Sequence, residues 1–242
     1  MVQIEASDQV GQGPGASSQV AAGHRRLIAR KREILAAAAR VFRRRGMQAT
    51  GMREIAAELG MAVGNLYYYF RDKEELLAFV QEDTLASLLA LAGRIRALPL
   101  PAEGRLYLLI LGHVNLLNEE APGSLAHLEV EALGERWRRT LQGRRDLYER
   151  CFRELIEEGV ETGRFRAADP KVGALTILGA INWTVKWFRP GGGKSAREIG
   201  RESAELLVRG LLAPGRELTV ADELPPATDG PLAVDGPPGG RR

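Results

Sequence analysis

Between about Arg25 and Leu212 apolar positions recur at three- and four-residue spacing, while the alternating runs that build strands do not appear in any number. The pattern predicts an all-α protein of about nine helices. The first spans about Arg25 to Arg45, with Ile34, Leu35, Ala38, Val41 and Phe42 on one face, arginines on the other, and Gly46 as its stop. A short helix starting at Thr50 or Gly51 follows, its buried stripe Met52, Ile55, Ala56 and Leu59, and Gly60 closes it. A third covers Ala62 to Phe70. The fourth is long, beginning at Asp72 with acids in its first turn and arginines in its last, as the macrodipole favours, and Pro99 and Pro101 break it. Five more are expected over 102–119, 122–133, 135–161, 169–188 and 194–212, bounded by Pro122, Gly134, Gly163 with Pro170, and the "RPGGG" run.

Outside this pattern lie two stretches of another composition. Residues 1–23 are rich in Gly, Gln, Ser and Ala and residues 214–242 in Pro, Gly and Asp, so both read as disordered tails. Of the 242 residues 45% are apolar and 27% charged, ordinary for a globular chain. No run approaches the ~18 apolar residues of a membrane span and the N-terminus lacks a signal-peptide core, so a cytoplasmic protein without membrane contact is expected. Cys151 is the only cysteine, which excludes an intrachain disulfide and a cysteine zinc site built from one chain. It reads as a small buried apolar residue.

Charge changes the picture more than composition does. The whole chain carries +3, yet His24 to Lys73 holds 12 Lys and Arg against 4 Asp and Glu, leaving the remainder acidic. A positive field confined to one end suits a polyanion. At that same end two short helices separated by a turn at Gly60, after a longer helix, have the pattern of a helix-turn-helix. On a helical wheel Val63, Leu66, Phe70 and Tyr67 fall on the core side of the third helix. Gly64, Asn65 and Tyr68 point away from it, and Tyr69 sits on the border. An outward Tyr68 beside Arg53, Arg71 and Lys73 suits a phosphate hydrogen bond, which positions a protein on DNA without reading sequence; an interdomain helix contact is the alternative.

The stretch "REILAAAARVFRRRGMQATGMREIAAELGMAVGNLYYYFRDKEELL" resembles the DNA-binding domain of TetR-family transcriptional regulators over about residues 27–77. The resemblance rests on Ala38, Phe42 and Gly46, "REIA" at 53–56, Gly60, Gly64, Leu66, Tyr67, Tyr69 with Phe70, and "KEEL" at 73–76. It implies an all-helical homodimer with a three-helix DNA-binding domain over 24–84, its motif at about 51–70, and an effector-binding and dimerisation bundle over 85–213. Carried over, the family's DNA contacts fall on Thr50 and Arg53, on Ala62, Val63, Gly64, Asn65, Tyr67 and Tyr68, and on Lys73. Two positions depart from the family's habit: Gly51 and Ala62 stand where many members carry a hydroxyl, and losing a cap costs on the order of 1 kcal/mol. Val63 then offers an apolar contact to a thymine methyl, or simply packs in the core, and Asn65 a hydrogen bond to adenine. The arm "HRRLIARKR" adds Arg25 and Arg26, for a minor groove or for phosphates.

The resemblance also implies dimerisation through the last two helices, a double-stranded operator with inverted half-sites, and a repressor released by a small molecule. Small Gly173, Ala174, Gly179 and Ala180 among the apolar positions of "DPKVGALTILGAINWTVKWF", and the stripe Ile199, Ser203, Leu206, Leu207, fit a four-helix interface. For the effector, His113, Asn115 and Asn118 lie among apolar residues and His127 follows; each could orient a ligand or satisfy a backbone group. "INWTVKWFRPGG" resembles a segment of TetR members that respond to acyl-coenzyme A thioesters, which brings in Trp183 and Trp187, and Arg136, Arg138, Arg139 or Lys186 for the phosphates. Neither cofactor nor metal is expected. An enzyme is the rival class, but no serine-nucleophile, phosphate-loop or zinc-protease motif is present, and "PGGGKS" at 190–195 lacks a preceding strand. An activator would share the DNA-binding end and differ only in the sign of its effect.

Overall fold

The computed structural model describes residues 15–46, 49–120, 133–219 and 223–226. Their helices are α1 (Gly15–Arg45), α2 (Met52–Glu58), α3 (Val63–Tyr69), α4 (Lys73–Arg96), α5 (Ala102–Asn115), α6 (Glu135–Glu161), α7 (Pro170–Asn182), α8 (Thr184–Trp187) and α9 (Ala196–Arg209). A π-helical turn, Leu116–Glu120, prolongs α5. Among the described residues β pairing is limited to one bridge between Phe165 and Leu212, so the all-α expectation holds.

Local chemistry sets the helix starts. Asp72 Oδ1 accepts from the Glu75 amide at 2.7 Å, and Asp169 Oδ1 from those of Lys171 and Val172, with Pro170 supplying the first helical residue. Ser195 and Glu198 form a reciprocal capping box at α9. Gly60, at φ +62°, makes the turn between α2 and α3 that a side chain would strain. Gly200 lets α9 press on α5: a Cβ there would lie 3.0 Å from the Leu111 carbonyl oxygen.

Three departures from the sequence reading have physical causes. α1 begins at Gly15 and not near Arg25. Residues 15–23 lack an apolar stripe, but Ala and Gln are good helix formers, and extending an existing helix needs no new nucleus. Residues 214–219 and 223–226, within the stretch expected as a tail, follow the bundle: Leu218 and Leu224 pack against the core, and the Thr219 carbonyl and the Leu224 methyl approach Gly104 and Gly112 of α5, while the rest of that stretch lies outside the described residues. Two isolated leucines give no periodicity to read. The helix expected over 169–188 divides at Trp183, where the Thr184 hydroxyl donates to the Ile181 carbonyl at 2.7 Å, the local competition that interrupts a helix. The helix expected at 122–133 lies outside the described residues, apart from Leu133 at its end.

Apolar side chains gather in two cores. The first takes Ile34, Leu35 and Phe42 from α1, Ile55 from α2, Leu66 and Phe70 around α3, and α4 as far as Leu85. The second starts at Leu88 and holds α5, the later turns of α6, α7 and α9. By length and hydropathy α4 would pass for a membrane span, although Glu82 and Asp83 break any continuous apolar run. The fold uses its apolar surface as the shaft joining both cores. α6 crosses over as well: Leu141 is buried in the first core and Trp137 packs against it.

Candidate nucleic-acid interface

Two buried residues anchor α3, and most of the others face outward. Leu66 and Phe70 are fully buried, Val63 and Tyr69 are half-buried against the first core, and Ala62, Gly64, Asn65, Tyr67 and Tyr68 face outward. Tyr68 is 80% exposed and meets Tyr69 edge-on, with ring centroids 5.2 Å apart. Tyr67 corrects the wheel, which put it on the core side: it is 50% exposed. The helix ends at Tyr69, and Phe70 has extended backbone, φ −139° and ψ 118°. Its ring therefore enters the core from outside the helical register, and Tyr67 is left at the rim.

Around α3 the cations divide into those used by the fold and those facing outward. Glu58 of α2 accepts from Arg40 Nε at 3.0 Å and from Arg44, and these two hydrogen bonds, Arg44 first, hold its carboxyl below the usual range. Arg32 grips Asp83 of α4 through two nitrogens, at 2.8 and 3.1 Å. Lys31 lies over the rings of Phe70 and Phe79 at 4.8 and 5.0 Å. Arg53 is exposed, and with Arg44 and Arg45 it borders a cleft of about 390 Å³ between α1 and α2. Lys73 is half-buried at the first turn of α4, and burial pulls its ammonium below the ordinary value. Where Gly51 lacks a capping hydroxyl, the Glu54 carboxylate accepts from the Gly51 amide at 2.9 Å, half of a capping box; Ala62 offers α3 no side-chain cap.

Two expected contacts take another form. Thr50 is 2% exposed and its Oγ1 donates to the Gly46 carbonyl at 2.8 Å, so its hydroxyl is used inside the fold. Arg25 and Arg26 are exposed on α1, in the helix expected from about Arg25. A helix about 10 Å across does not thread a minor groove about 6 Å wide.

The expected ligand residues do not converge. His113 is buried in α5 with Nδ1 3.0 Å from the Tyr148 hydroxyl, and the two rings stack. Asn118 Nδ2 donates to the Val114 carbonyl at 2.8 Å and to Thr184 Oγ1 at 2.9 Å, a structural use. Asn115 is half-buried, and His127 lies outside the described residues. Trp183 and Trp187 are both exposed. With Val172, Leu175 and Leu206 they leave large apolar surface exposed along α7 to α9, the two helices expected to dimerise and the turn between them. Arg136, Arg138 and Arg139 are exposed at the start of α6, and Lys186 is exposed on α8.

What the sequence reading missed is an open cavity of about 700 Å³ between α6 and α7. Leu85 of α4 and the His113–Tyr148 pair border it, and its cations are Arg145, Arg150, Arg153 and Lys171. The spacing of 145, 149, 150 and 153 on one helix would have placed these side chains on one face, but only the position of α7 shows that the face borders a cavity.

Against this geometry stand the likenesses to known proteins. Residues 34–80 match the model described as "Bacterial regulatory proteins, tetR family", and residues 99–211 the model "Tetracyclin repressor-like, C-terminal domain". The chain is 31% identical over 150 residues to an uncharacterised HTH-type transcriptional regulator, YfiR of Bacillus subtilis, covering 58% of this chain and 70% of that one. It is 27% identical over 194 residues to the HTH-type transcriptional repressor KstR2 of Rhodococcus jostii, covering 76% and 92%. Among solved structures, AibR in complex with isovaleryl coenzyme A and operator DNA superposes with a TM-score of 0.64 at 27% identity, covering 76% of this chain and 98% of that one.

Proposed function

The chain belongs to the TetR family of bacterial regulatory proteins, and from that premise we propose that it is a homodimeric transcriptional repressor, acting in the cytoplasm, which leaves its operator when it binds an acyl-coenzyme A thioester. The observation that carries the DNA-binding part is the α3 surface. A helix held by Leu66 and Phe70 presents Asn65, Tyr67 and Tyr68 together, beside exposed Arg53 and the first turn of α4. On this reading α3 enters the major groove, where Asn65 bonds adenine and the outer edge of half-buried Val63 meets a thymine methyl. Tyr67, Tyr68, Arg53 and Lys73 hold phosphates and set the register. Arg25 and Arg26 extend the phosphate contacts along α1.

A two-fold dimer places its two α3 helices on one side of the duplex, so the operator is an inverted repeat with half-sites about 34 Å or a multiple apart. The exposed apolar side chains of α7 to α9 supply the surface that a second copy would cover. KstR2 is named a repressor, which supports the sign, and AibR was crystallised in complex with isovaleryl coenzyme A and operator DNA, which supports the effector class. An effector shifts a regulator only by binding one of its conformations better than the other. No catalytic role belongs to this reading.

The test is mapping of bound chromosomal DNA, joined to transcript levels after deletion of the gene. Enrichment of an inverted repeat beside genes whose transcripts rise on deletion is the expected result. Transcripts that fall would make the protein an activator, and absence of any enriched sequence would overturn the DNA-binding assignment.

A further inference from the structure

α4 and α6 run side by side in the same direction. At the start of α6 the Gly134 amide donates to Oε1 of Glu74, in the first turn of α4, at 2.8 Å. Further along, Arg145 of α6 donates to Gln81 of α4, and near the far end Arg96 of α4 meets Glu154 of α6 at 3.3 Å. The two helices are therefore level at their N-termini, and α4 starts four residues after α3 ends. Leu133 and Leu141, buried in the first core, and Trp137, packed against it, fix α6 in that position. The first turns of α6 thus belong to the DNA-binding end of the molecule.

Its charges there are the reverse of what a helix start favours. The N-terminal end of a helix carries positive partial charge, so acids suit the first turn, as Glu74 and Glu75 do in α4. α6 instead begins with Arg136, Arg138 and Arg139, all exposed, and its first turn holds one acid, Glu135. Arg139 meets Glu135 at 3.4 Å, but the two side chains are 76% and 75% exposed, where such a pair is weak. Gly134 supplies no side-chain cap, and Arg136 lies 5.9 Å from the ring of Trp137. None of the three arginines borders the cavity between α6 and α7. Around them the acids of α4 face backbone amides: Asp72 accepts from Glu75, Glu75 from Arg71, and Glu74 from Gly134. What is left facing outward is a collar of guanidinium groups that opposes the helix it sits on, and such departures from local rules gather at functional sites.

We propose that Arg136, Arg138 and Arg139 form a second backbone clamp, which holds phosphates of the duplex next to those met by the first turn of α4. The proposal rests on the operator-binding reading above and extends its footprint from the helix-turn-helix to the bundle. Packed helices lie about 8–10 Å apart, and a DNA strand carries one phosphate per about 3.4 Å of axis, so α6 is placed to meet phosphates neighbouring those at α4. A guanidinium keeps its charge and binds phosphate oxygens in pairs, which suits it to this contact. The bound anion also offsets the repulsion between the arginines and the positive end of α6. Contacts of this kind position the protein without reading bases, so their loss weakens every duplex alike.

The experiment compares the full-length protein with a triple variant, Arg136→Gln with Arg138→Gln and Arg139→Gln, and with the same three positions changed to lysine. Fluorescence anisotropy follows binding to the mapped repeat and to a scrambled duplex at several salt concentrations, with dimer size and thermal unfolding measured alongside. The glutamine variant is expected to keep the dimer and to unfold at or above the wild-type temperature. It should bind the repeat at least ~10-fold more weakly, with a salt slope lower by about 0.9 for each phosphate given up and an unchanged preference for the repeat. The lysine variant is expected to keep the wild-type slope. Arg166→Gln, an exposed position beyond the opposite end of α6, should change neither slope nor affinity. A glutamine variant with wild-type slope and affinity, while the wild type still prefers the repeat, overturns the clamp and leaves the operator reading intact. An equal loss per charge from Arg166→Gln also overturns it, since net charge alone would then account for the effect. A wild type that binds both duplexes alike, with the glutamine variant still lowering the slope on each, overturns the operator reading and supports the clamp.

Discussion

A tyrosine that is 80% exposed contributes little to the fold, so Tyr68→Ala is expected to change stability by no more than about 0.5 kcal/mol. If its hydroxyl bonds a phosphate, the same substitution weakens operator binding by at least ~10-fold, since hydrogen bonds to charged groups are worth about 1.5–3 kcal/mol. Anisotropy and thermal melts together check this, and an unchanged operator affinity would remove Tyr68 from the interface. Phe70, two positions on and fully buried, is expected to behave oppositely: Phe70→Ala should cost about 3–5 kcal/mol of stability in a denaturant titration. The wheel separated Tyr68 from Leu66 correctly because both lie within α3. It misplaced Tyr67 because a wheel assumes helical register through Phe70, where the backbone is extended. Thr50 shows another limit, since its hydroxyl bonds a carbonyl four residues back that only coordinates reveal.

Among the elements, α1 departs furthest from its sequence signal. Arg25 and Arg26 lie on α1 beyond the first core, and Arg25→Ala with Arg26→Ala is expected to reduce the slope of log affinity against log salt by about 0.9 for each phosphate the pair neutralises. Sequence preference should stay as it was; an unchanged slope would show that neither arginine reaches DNA. α7 and α9 were legible as a pair of apolar stripes, though not in how they divide: Ile177 and Ile181 serve the chain's own core, while Val172 and Leu206 remain exposed. Leu206 is 75% exposed, so Leu206→Glu is expected to leave the monomer folded and abolish the dimer in sedimentation, and the tight operator complex should disappear alongside. A Leu206→Glu protein that still sediments as a dimer would place the interface elsewhere. The boundaries of α6 followed from Gly134 and Gly163, but its function as the wall of a cavity did not, because a cavity is made by the neighbours of a helix.

At the level of the whole molecule, two cores share α4, and α6 reaches from the second core into the first. That arrangement joins the α7 side of the bundle to α3 through packed helices. The basic end and the helix-turn-helix were readable from local spacing, since both are made by residues near each other in sequence. The Arg145–Gln81 hydrogen bond spans 64 positions, and the packing of Thr219 and Leu224 along α5 spans more than 100, separations over which periodicity says nothing. A protein that holds a specific duplex and releases it to an acyl thioester must show both properties in one titration. That titration follows the anisotropy of the mapped inverted repeat as the purified dimer is added at fixed salt, with and without saturating isovaleryl-CoA or palmitoyl-CoA. One dimer is expected to bind each repeat, with an affinity at least ~5-fold weaker when one of the thioesters is present, the low end of typical allosteric coupling. Equal affinity with and without both thioesters, or equal affinity for the repeat and for a scrambled duplex, would contradict this mechanism.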